Sequence, residues 1–219
     1  MSLAGKRILI SGAARGIGAL TAKRLHDRGA RVALLGLEPE LLESVAADCG
    51  TYNLIRAAGP HVSHPGGYFL VTASLAAAVH LPLMAAYCAS KAAVESLGDS
   101  LRMELAPTGA RSGVAYYAEL DTDMTSRGFA TKAAARMPIG GHGRLPVAPV
   151  EPAIDAIERG IVRRSRRIVS ARWVAAALPL RMVVQRLAER QVRGRIGTAL
   201  DIARTEEAPL TTPQPERVA

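Results

Sequence analysis

The stretch "KRILISGAARGIGALTAKRLHDRG", residues 6–29, decides the fold class of this 219-residue chain. Its first six residues form an apolar run bounded by glycines, which predicts a buried parallel strand. Apolar residues then recur at helical spacing from Ile17 to Leu25, and Gly29 follows as a helix stop. The stretch therefore predicts a strand, a glycine-rich turn and a helix.

The same alternation continues in the next segment. Residues 30–36, "ARVALLG", predict a second buried strand, and residues 38–50, "EPELLESVAADCG", predict a helix with Pro39 near its start. Strands and helices that alternate with short links form right-handed βαβ units, so we expect an α/β fold built on a parallel sheet.

Composition excludes several classes of function. The net charge is +9, but much of it lies late in the chain, and no zinc-finger or RNP signature accompanies it, so we expect no nucleic-acid partner. Cys49 and Cys88 are too scattered for a disulfide framework, which indicates a reducing cytoplasm. The sequence contains no signal peptide and no stretch of membrane-spanning length. The five histidines lack metal-ligand spacing, so no metal site is expected.

The turn "SGAARGIG" places Gly12, Gly16 and Gly18 between the first strand and its helix. Glycines there let the backbone approach a pyrophosphate, and the helix N-terminus supplies unpaired N–H groups for the phosphates. A turn that merely connects two elements is the alternative interpretation of this loop taken alone.

Three polar residues further along the chain suggest acid–base chemistry. "GGYFLVTASL", residues 66–75, predicts a strand that leads to Ser74, and "AAYCASKAAVESL", residues 85–97, predicts a helix with Tyr87 and Lys91 on one face. An ammonium about 6 Å from the phenol, at an effective dielectric of about 20, would favour the phenolate by roughly 3 kcal/mol. The pKa of Tyr87 would then fall towards neutrality, where proton transfer is most efficient. Taken alone, the Tyr-x-x-x-Lys pair is better explained as an ordinary pair on the surface of an amphipathic helix.

Together these motifs resemble the short-chain dehydrogenase/reductases, which are NAD(P)-dependent enzymes with a single Rossmann-type domain. "SGAARGIG" is similar to the TGxxxGIG loop of that family, and Ser74, Tyr87 and Lys91 match its Ser…Tyr-x-x-x-Lys set. The resemblance covers residues 4–135 and implies a doubly wound parallel sheet. We expect a Rossmann-type domain at residues 1–170, a basic C-terminal helical extension at 171–204 and a polar tail at 205–219.

The resemblance also implies roles for individual residues. Tyr87 would be the general acid/base, Ser74 would position the substrate oxygen, and Lys91 would also bind the nicotinamide ribose. The implied reaction moves hydride between NAD(H) or NADP(H) and an alcohol or ketone, in a homodimer or homotetramer. The implied cofactor-binding residues are Gly12, Arg15, Gly16, Ile17, Gly18, Glu38, Tyr87, Lys91 and Thr122.

The end of the second strand sets the choice of cofactor in the family. An acid there would hold the adenosine ribose and an arginine would hold a 2′-phosphate, but this chain has Gly36 and Leu37 at those positions. Glu38 could reach the ribose, whereas Arg15 could favour a phosphate. We expect NAD(H), because a nearby acid repels a 2′-phosphate.

The largest departure from the family pattern is a gap. Family members have two further strands, an N-A-G turn and a catalytic asparagine between the second helix and the segment that begins at Thr51. Without the strand that the family places between its first and fifth strands, the sheet would keep a slot of about 5 Å with unpaired backbone on both sides. We therefore predict that the sequence omits residues near Gly50–Thr51, and that these two residues are not covalent neighbours in the native protein.

A second departure is Ala118-Glu119, where the family usually has Pro-Gly, so backbone freedom is lost and a carboxylate is added near the cofactor. Two alternatives stay open for the protein as a whole. The loop residues Leu81, Leu83 and Met84 indicate a hydrophobic substrate for an enzyme. A catalytically inactive relative would instead bind nucleotide and act as an interaction or membrane-docking module through its basic C-terminus. The helical segment at 172–195 fits either a membrane surface or a cover over the substrate pocket or a partner subunit.

Overall fold

The structure is a computed structural model that describes residues 2–13, 16–35, 45–122, 125, 131–137 and 147–206. Strands and helices alternate along this part of the chain. The strands are β1 (Arg7–Ser11), β2 (Arg31–Leu35), β3 (Tyr68–Thr72), β4 (Arg111–Tyr116) and β5 (Arg167–Val169). The helices are α1 (Gly16–Asp27), α2 (Val45–Val62), α3 (Ala85–Glu104), α4 (Lys132–Ala135), α5 (Glu151–Arg163), α6 (Arg172–Ala177), α7 (Arg181–Val192) and α8 (Ile196–Thr205).

Every strand pairing among these elements is parallel, which confirms the predicted α/β class. β1 pairs with β2, and β4 lies between β3 and β5. Parallel neighbours need a crossover connection, and the helices between successive strands provide it.

The second sheet forms the centre of the molecule because β4 is covered on both faces. Val114 and Tyr116 pack on the side of α3, in a cluster that also contains Val174 and Leu178 of the C-terminal segment. Ala115 packs on the opposite side, in a cluster with the buried face of α5. Residues at alternate positions of a strand point to opposite faces, so five of the six β4 residues are buried.

The prediction that the first two strands are buried is wrong. Ile8 and Ile10 of β1 pack towards Leu25 of α1 and Ile161 of α5, but both stay partly exposed. Leu9, on the opposite face of β1, is 49% exposed. The reason is that the described residues cover this small sheet on one face only.

The sheet is interrupted between β1 and β3. Within the described residues no backbone hydrogen bond joins these two strands, so each keeps one edge without a β-partner. This is the position at which the resemblance implies a further strand. The doubly wound sheet is therefore present in two parts rather than as one continuous sheet.

The junction at Gly50–Thr51 lies inside α2, which runs from Val45 to Val62. The two residues are thus successive residues of one helix, and the expected separation between them is not seen. The helix predicted at residues 38–50 therefore continues past the junction, and the structure describes it from Val45 to Val62. The interrupted sheet remains, because the described residues between β2 and β3 contribute no strand to it.

The C-terminal helices pack onto the core of the domain and are anchored by a buried carboxylate. Glu95 of α3 is 8% exposed, accepts a hydrogen bond of 2.8 Å from the Tyr116 hydroxyl, and pairs at 2.9 Å with Arg181 at the start of α7. Burial and the hydrogen bond to Glu95 raise the pKa of Tyr116, so its phenol stays protonated and remains a donor. None of the described helices is long and apolar enough to cross a membrane.

The predicted omission of residues near Gly50–Thr51 can be tested on the protein expressed from its natural gene. We expect an intact mass above the 23.1 kDa of this sequence and a peptide map that contains residues between Gly50 and Thr51. The physical reason is that an added strand would satisfy the open edges of β1 and β3. A measured mass of 23.1 kDa, with one peptide spanning the junction, would contradict the prediction.

Candidate active site

The glycine-rich turn between β1 and α1 has the backbone that its sequence predicts. Gly12 and Gly16 adopt positive φ angles of 71° and 51°, which side chains rarely tolerate. A Cβ atom on Gly18 would lie 2.1 Å from the Gly12 carbonyl oxygen, so only glycine lets the first turn of α1 pack against the loop. A Cβ atom on Gly12 would meet none of the described residues within 4 Å. The turn thus combines tight packing on one side with open space on the other.

Thr122 lies beside this turn. A Cβ atom on Gly16 would be 4.0 Å from both Cβ and Cγ2 of Thr122, and the Thr122 hydroxyl is 3.3 Å from that of Thr125. The fold therefore brings together two of the predicted cofactor-binding positions that are more than a hundred residues apart in the chain. Ile17 instead packs against the core cluster under α5, which gives it a structural role.

Ser74 stands just beyond the carboxyl end of β3, two residues after Thr72. It caps the short 3-10 turn Leu75–Ala77, since its Oγ accepts a hydrogen bond of 3.2 Å from the Ala76 N–H. The same hydroxyl is 3.4 Å from the Tyr117 carbonyl oxygen, to which it donates. Backbone contacts on both sides therefore fix the position of this hydroxyl.

Tyr87 lies in the first turn of α3 and is hydrogen-bonded to Ser74 through its side chain. Burial raises the pKa of Tyr87 above its ordinary value, whereas the hydrogen bond with Ser74 lowers it. The net direction is upward, and Lys91 is not among the causes of the shift, so the lowering of the Tyr87 pKa that the sequence predicts from Lys91 is not seen. Tyr87 is a protonated phenol, ready to donate, and Ser74 is the neighbour that favours its ionised form.

Lys91 follows one turn later on the same face of α3. Its Nζ lies 5.7 Å from the centroid of the Tyr87 ring, close to the separation assumed from the sequence. The ammonium also donates a hydrogen bond of 3.2 Å to the Thr72 carbonyl oxygen. The Ala73 N–H donates a hydrogen bond to the Ala115 carbonyl of β4. Because the carbonyl and the N–H of one peptide group point in opposite directions, the Thr72 carbonyl faces the other, open edge of β3. Lys91 thus satisfies an acceptor at the interruption of the sheet.

The substitution of Ala118-Glu119 for Pro-Gly costs less than the sequence suggests. Neither residue adopts a positive φ, so no glycine is needed at this bend. The Glu119 carbonyl accepts a 3.0 Å hydrogen bond from the Ala148 N–H, and Leu120 forms a parallel bridge with Ala148. The bend is therefore held by regular backbone pairing.

The residues predicted to choose between the two cofactors, Arg15 and Glu38, lie outside the described residues. Among the residues that the structure does describe, Gly12, Gly16 and Thr122 gather at one place, and Ser74, Tyr87 and Lys91 gather at another. Gly18 belongs with Gly12, Gly16 and Thr122, and its role is to let the first turn of α1 pack against the loop.

A cavity of about 590 Å³ lies along a different face of α3, lined by Ala85, Cys88 and Ala89. Residues of the C-terminal helices line its other side, among them Gln185 and Glu189. The sequence analysis did not identify these residues. The Gln185 side chain clamps the backbone of His80, accepting from its N–H at 2.7 Å and donating to its carbonyl at 3.2 Å. No short sequence motif could reveal this clamp, because 105 residues separate its two ends.

Comparison with known proteins gives a consistent result. The model of the short chain dehydrogenase family matches residues 6–53 and 49–133, in two parts that overlap beside Gly50–Thr51. A search of curated proteins finds none that matches the chain.

Solved structures with a similar fold were also found. A short chain dehydrogenase from Burkholderia cenocepacia J2315, in complex with NADP, superposes with a TM-score of 0.67 at 22% identity, covering 88% of this chain and 100% of its own. A short chain dehydrogenase/reductase from Burkholderia phymatum, in complex with NAD, gives 0.60 at 18% identity, covering 85% and 96%. The fold is thus the one these dehydrogenases share. From the family match over more than half its length, the chain belongs to the short chain dehydrogenase family of oxidoreductases.

Proposed function

We propose that this protein is an NAD(P)-dependent oxidoreductase that moves hydride between a nicotinamide cofactor and an alcohol or ketone. One observation carries the proposal: the fold places the Ser74 and Tyr87 side chains together, so that Ser74 lowers the pKa of the phenol, and the Lys91 ammonium lies 5.7 Å from the phenol ring. An ordinary Tyr–Lys pair on a helix surface would not require a serine at the end of a strand beside the tyrosine. The family membership supports the same reaction class.

The residues around the glycine-rich turn fit the phosphate end of a dinucleotide. The open space at Gly12, the positive φ angles at Gly12 and Gly16, and the N-terminus of α1 form a cradle with backbone N–H donors. Thr122 borders the same cradle, within reach of a bound nicotinamide group. When bound, the cofactor supplies or accepts the hydride.

The proton half of the reaction belongs to the protein. In ketone reduction the Tyr87 phenol donates its proton to the substrate oxygen, and in alcohol oxidation the phenolate takes it back. When substrate is bound, the Ser74 hydroxyl turns its single hydrogen from the Tyr117 carbonyl to the same oxygen and so stabilises the negative charge that develops there. The hydrogen bond that its Oγ accepts from the Ala76 N–H holds it in place for this role.

Lys91 supports both halves of the reaction. Its positive charge beside Tyr87 favours the phenolate, and its ammonium would also bind the ribose hydroxyls of the cofactor. A ring-to-ammonium distance of 5.7 Å supports the first role. The hydrogen bond to Thr72 fixes the ammonium over the open edge of β3.

A catalytically inactive nucleotide-binding relative is the second candidate, and the interrupted sheet favours it. β1 carries the nucleotide turn and β3 leads to Ser74, but no hydrogen bond within the described residues joins the two strands. If the chain has no further segment, helix packing alone sets the distance between the cradle and the Tyr87 phenol. A nucleotide could then bind in the cradle without being held in the position that catalysis requires.

The substrate side of the proposal is hydrophobic. Leu83 is 42% exposed at a positive φ of 64° just before α3, a strained conformation that residues near functional sites often adopt. With Leu81 and Met84 it gives the loop beside Tyr87 an apolar surface. We further propose a cytoplasmic enzyme that works as a homodimer or homotetramer.

Tyr87→Phe is the central test of the catalytic assignment. Because the change removes only the proton donor, kcat should fall by roughly 10²- to 10⁴-fold while the Kd for dinucleotide stays near normal.

Lys91→Ala should reduce both kcat and dinucleotide affinity, since one ammonium serves both. Lys23→Ala, which removes an exposed ammonium from the surface of α1, is the matched control. Comparable turnover in Tyr87→Phe would refute the assignment, and a pure binding loss in Lys91→Ala would refute the tuning of the phenol.

Ser74→Ala should shift the pH dependence of alcohol oxidation to higher pH. Oxidation requires the phenolate of Tyr87, and the hydrogen bond with Ser74 lowers the pKa of that phenol, so losing the bond raises it. The rate should therefore rise with pH along a curve that is shifted to higher pH relative to that of the unaltered protein. Any loss in kcat would come in addition to this shift. A pH–rate profile of kcat measures the shift. An unchanged or downward-shifted profile would show that the bond does not favour the ionised phenol.

Cofactor choice gives a further expectation. We expect tighter binding of NAD(H) than of NADP(H), because Glu38 would repel a 2′-phosphate and position 37 holds leucine rather than arginine. Fluorescence titration with NADH and NADPH gives the two Kd values. Glu38→Gln should bring these two Kd values closer together. A clear preference for the phosphorylated cofactor would make Arg15 the dominant residue.

A further inference from the structure

The exposed apolar side chains of this protein are concentrated in one short segment. Of the thirteen large apolar residues exposed in the described part of the chain, five fall within residues 173–187. Met182 of α7 is 73% exposed, which is more than any other of the thirteen. The five are Trp173, Leu180, Met182, Val183 and Leu187.

Helix α7 divides sharply into two faces. Its inner face carries Val184 and Ala188, which pack against the core, and Gln185, which clamps His80. Its outer face carries Met182, Val183 and Leu187 together with Arg186 and Arg190, all exposed. The inner contacts anchor the helix, so the outer face is a fixed surface rather than a loose end.

The charge of this segment is mainly positive. Residues 171–195 contain six arginines and one glutamate. Arg181 is paired with Glu95 beneath the helix, and Glu189 is hydrogen-bonded to Gln185 at the edge of the inner face. Within the described residues Arg186 and Arg190 form no ion pair, so both guanidinium groups are available to external anions.

We infer that the outer face of α6 and α7 docks on an anionic lipid bilayer. Arginines interleaved with methionine, valine and leucine suit the headgroup boundary, where guanidinium groups meet lipid phosphates while the apolar side chains enter the acyl region. Trp173, which is exposed on the preceding helix α6, is the residue type that favours this boundary. A second copy of the chain fits less well, because a twofold contact through this face would bring arginines of both copies together without facing carboxylates.

The test measures vesicle binding of the full chain without cofactor or substrate, so its outcome is independent of the proposed enzymatic activity. We expect co-sedimentation with mixed phosphatidylcholine–phosphatidylserine vesicles, little with pure phosphatidylcholine, and release by salt. Arg186→Gln/Arg190→Gln should bind about 30-fold more weakly, as two surface arginines lose their attraction to anionic lipid. Val183→Ser/Leu187→Ser should bind roughly tenfold more weakly. Trp173, the single tryptophan, should shift its emission to the blue on binding.

Matched controls separate this face from general charge and hydrophobicity. Lys23→Gln/Arg111→Gln removes two exposed charges elsewhere, and Met103→Ser removes a 68% exposed apolar residue from α3. Both should bind vesicles as the unaltered protein does, and urea unfolding should show that all variants are folded. Equal binding by the α7 variants and the controls would overturn the inference. So would a dimer in sedimentation equilibrium that Val183→Ser/Leu187→Ser dissociates, because the face would then be a subunit interface.

Discussion

Helix α3 rests directly on β3 and β4, and the rest of the site depends on that contact. A Cβ atom at Gly98 would lie 2.6 Å from Cγ2 of Val71 and 2.6 Å from Cγ2 of Val114, so the helix approaches the sheet more closely than any residue with a side chain would allow. About three turns towards the N-terminus, the same helix carries Tyr87. The distance between the phenol and Ser74, beyond the end of β3, is therefore set by the close approach at Gly98.

The same helix also holds the C-terminal segment. Glu95, three residues before Gly98, is buried and satisfied by Tyr116 from β4 and Arg181 from α7. Removing one partner of such a group would leave a buried charge uncompensated, which is far costlier than losing a surface pair. Catalytic residues, core packing and the anchor of the C-terminal helices thus share one element, so a change in its position would affect all three.

The two parts of the sheet differ in how they are secured. The β3–β4–β5 part is buried on both faces, whereas β1 and β2 are covered on one face and remain largely exposed. The parts meet through helix packing, with Ile161 of α5 reaching both, and through ion pairs from α1 to Glu158 and Asp155. Exposed ion pairs contribute little. The cradle for the dinucleotide is therefore held to the catalytic residues by weaker forces than a continuous sheet would provide.

The sequence by itself determined the local elements and the motif residues of this protein. Apolar periodicity, glycine spacing and the Tyr-x-x-x-Lys interval are short-range patterns, and they correctly predicted the parallel α/β class, the turn at Gly12–Gly18 and the face shared by Tyr87 and Lys91. Tertiary structure decided the contacts between distant residues. It placed Lys91 against the Thr72 carbonyl, turned the shift in the Tyr87 pKa upward through burial, exposed β1, and joined Glu95 to Arg181 across 86 residues. These outcomes depend on which surfaces remain to be covered once the elements pack, and no pattern along the chain encodes that.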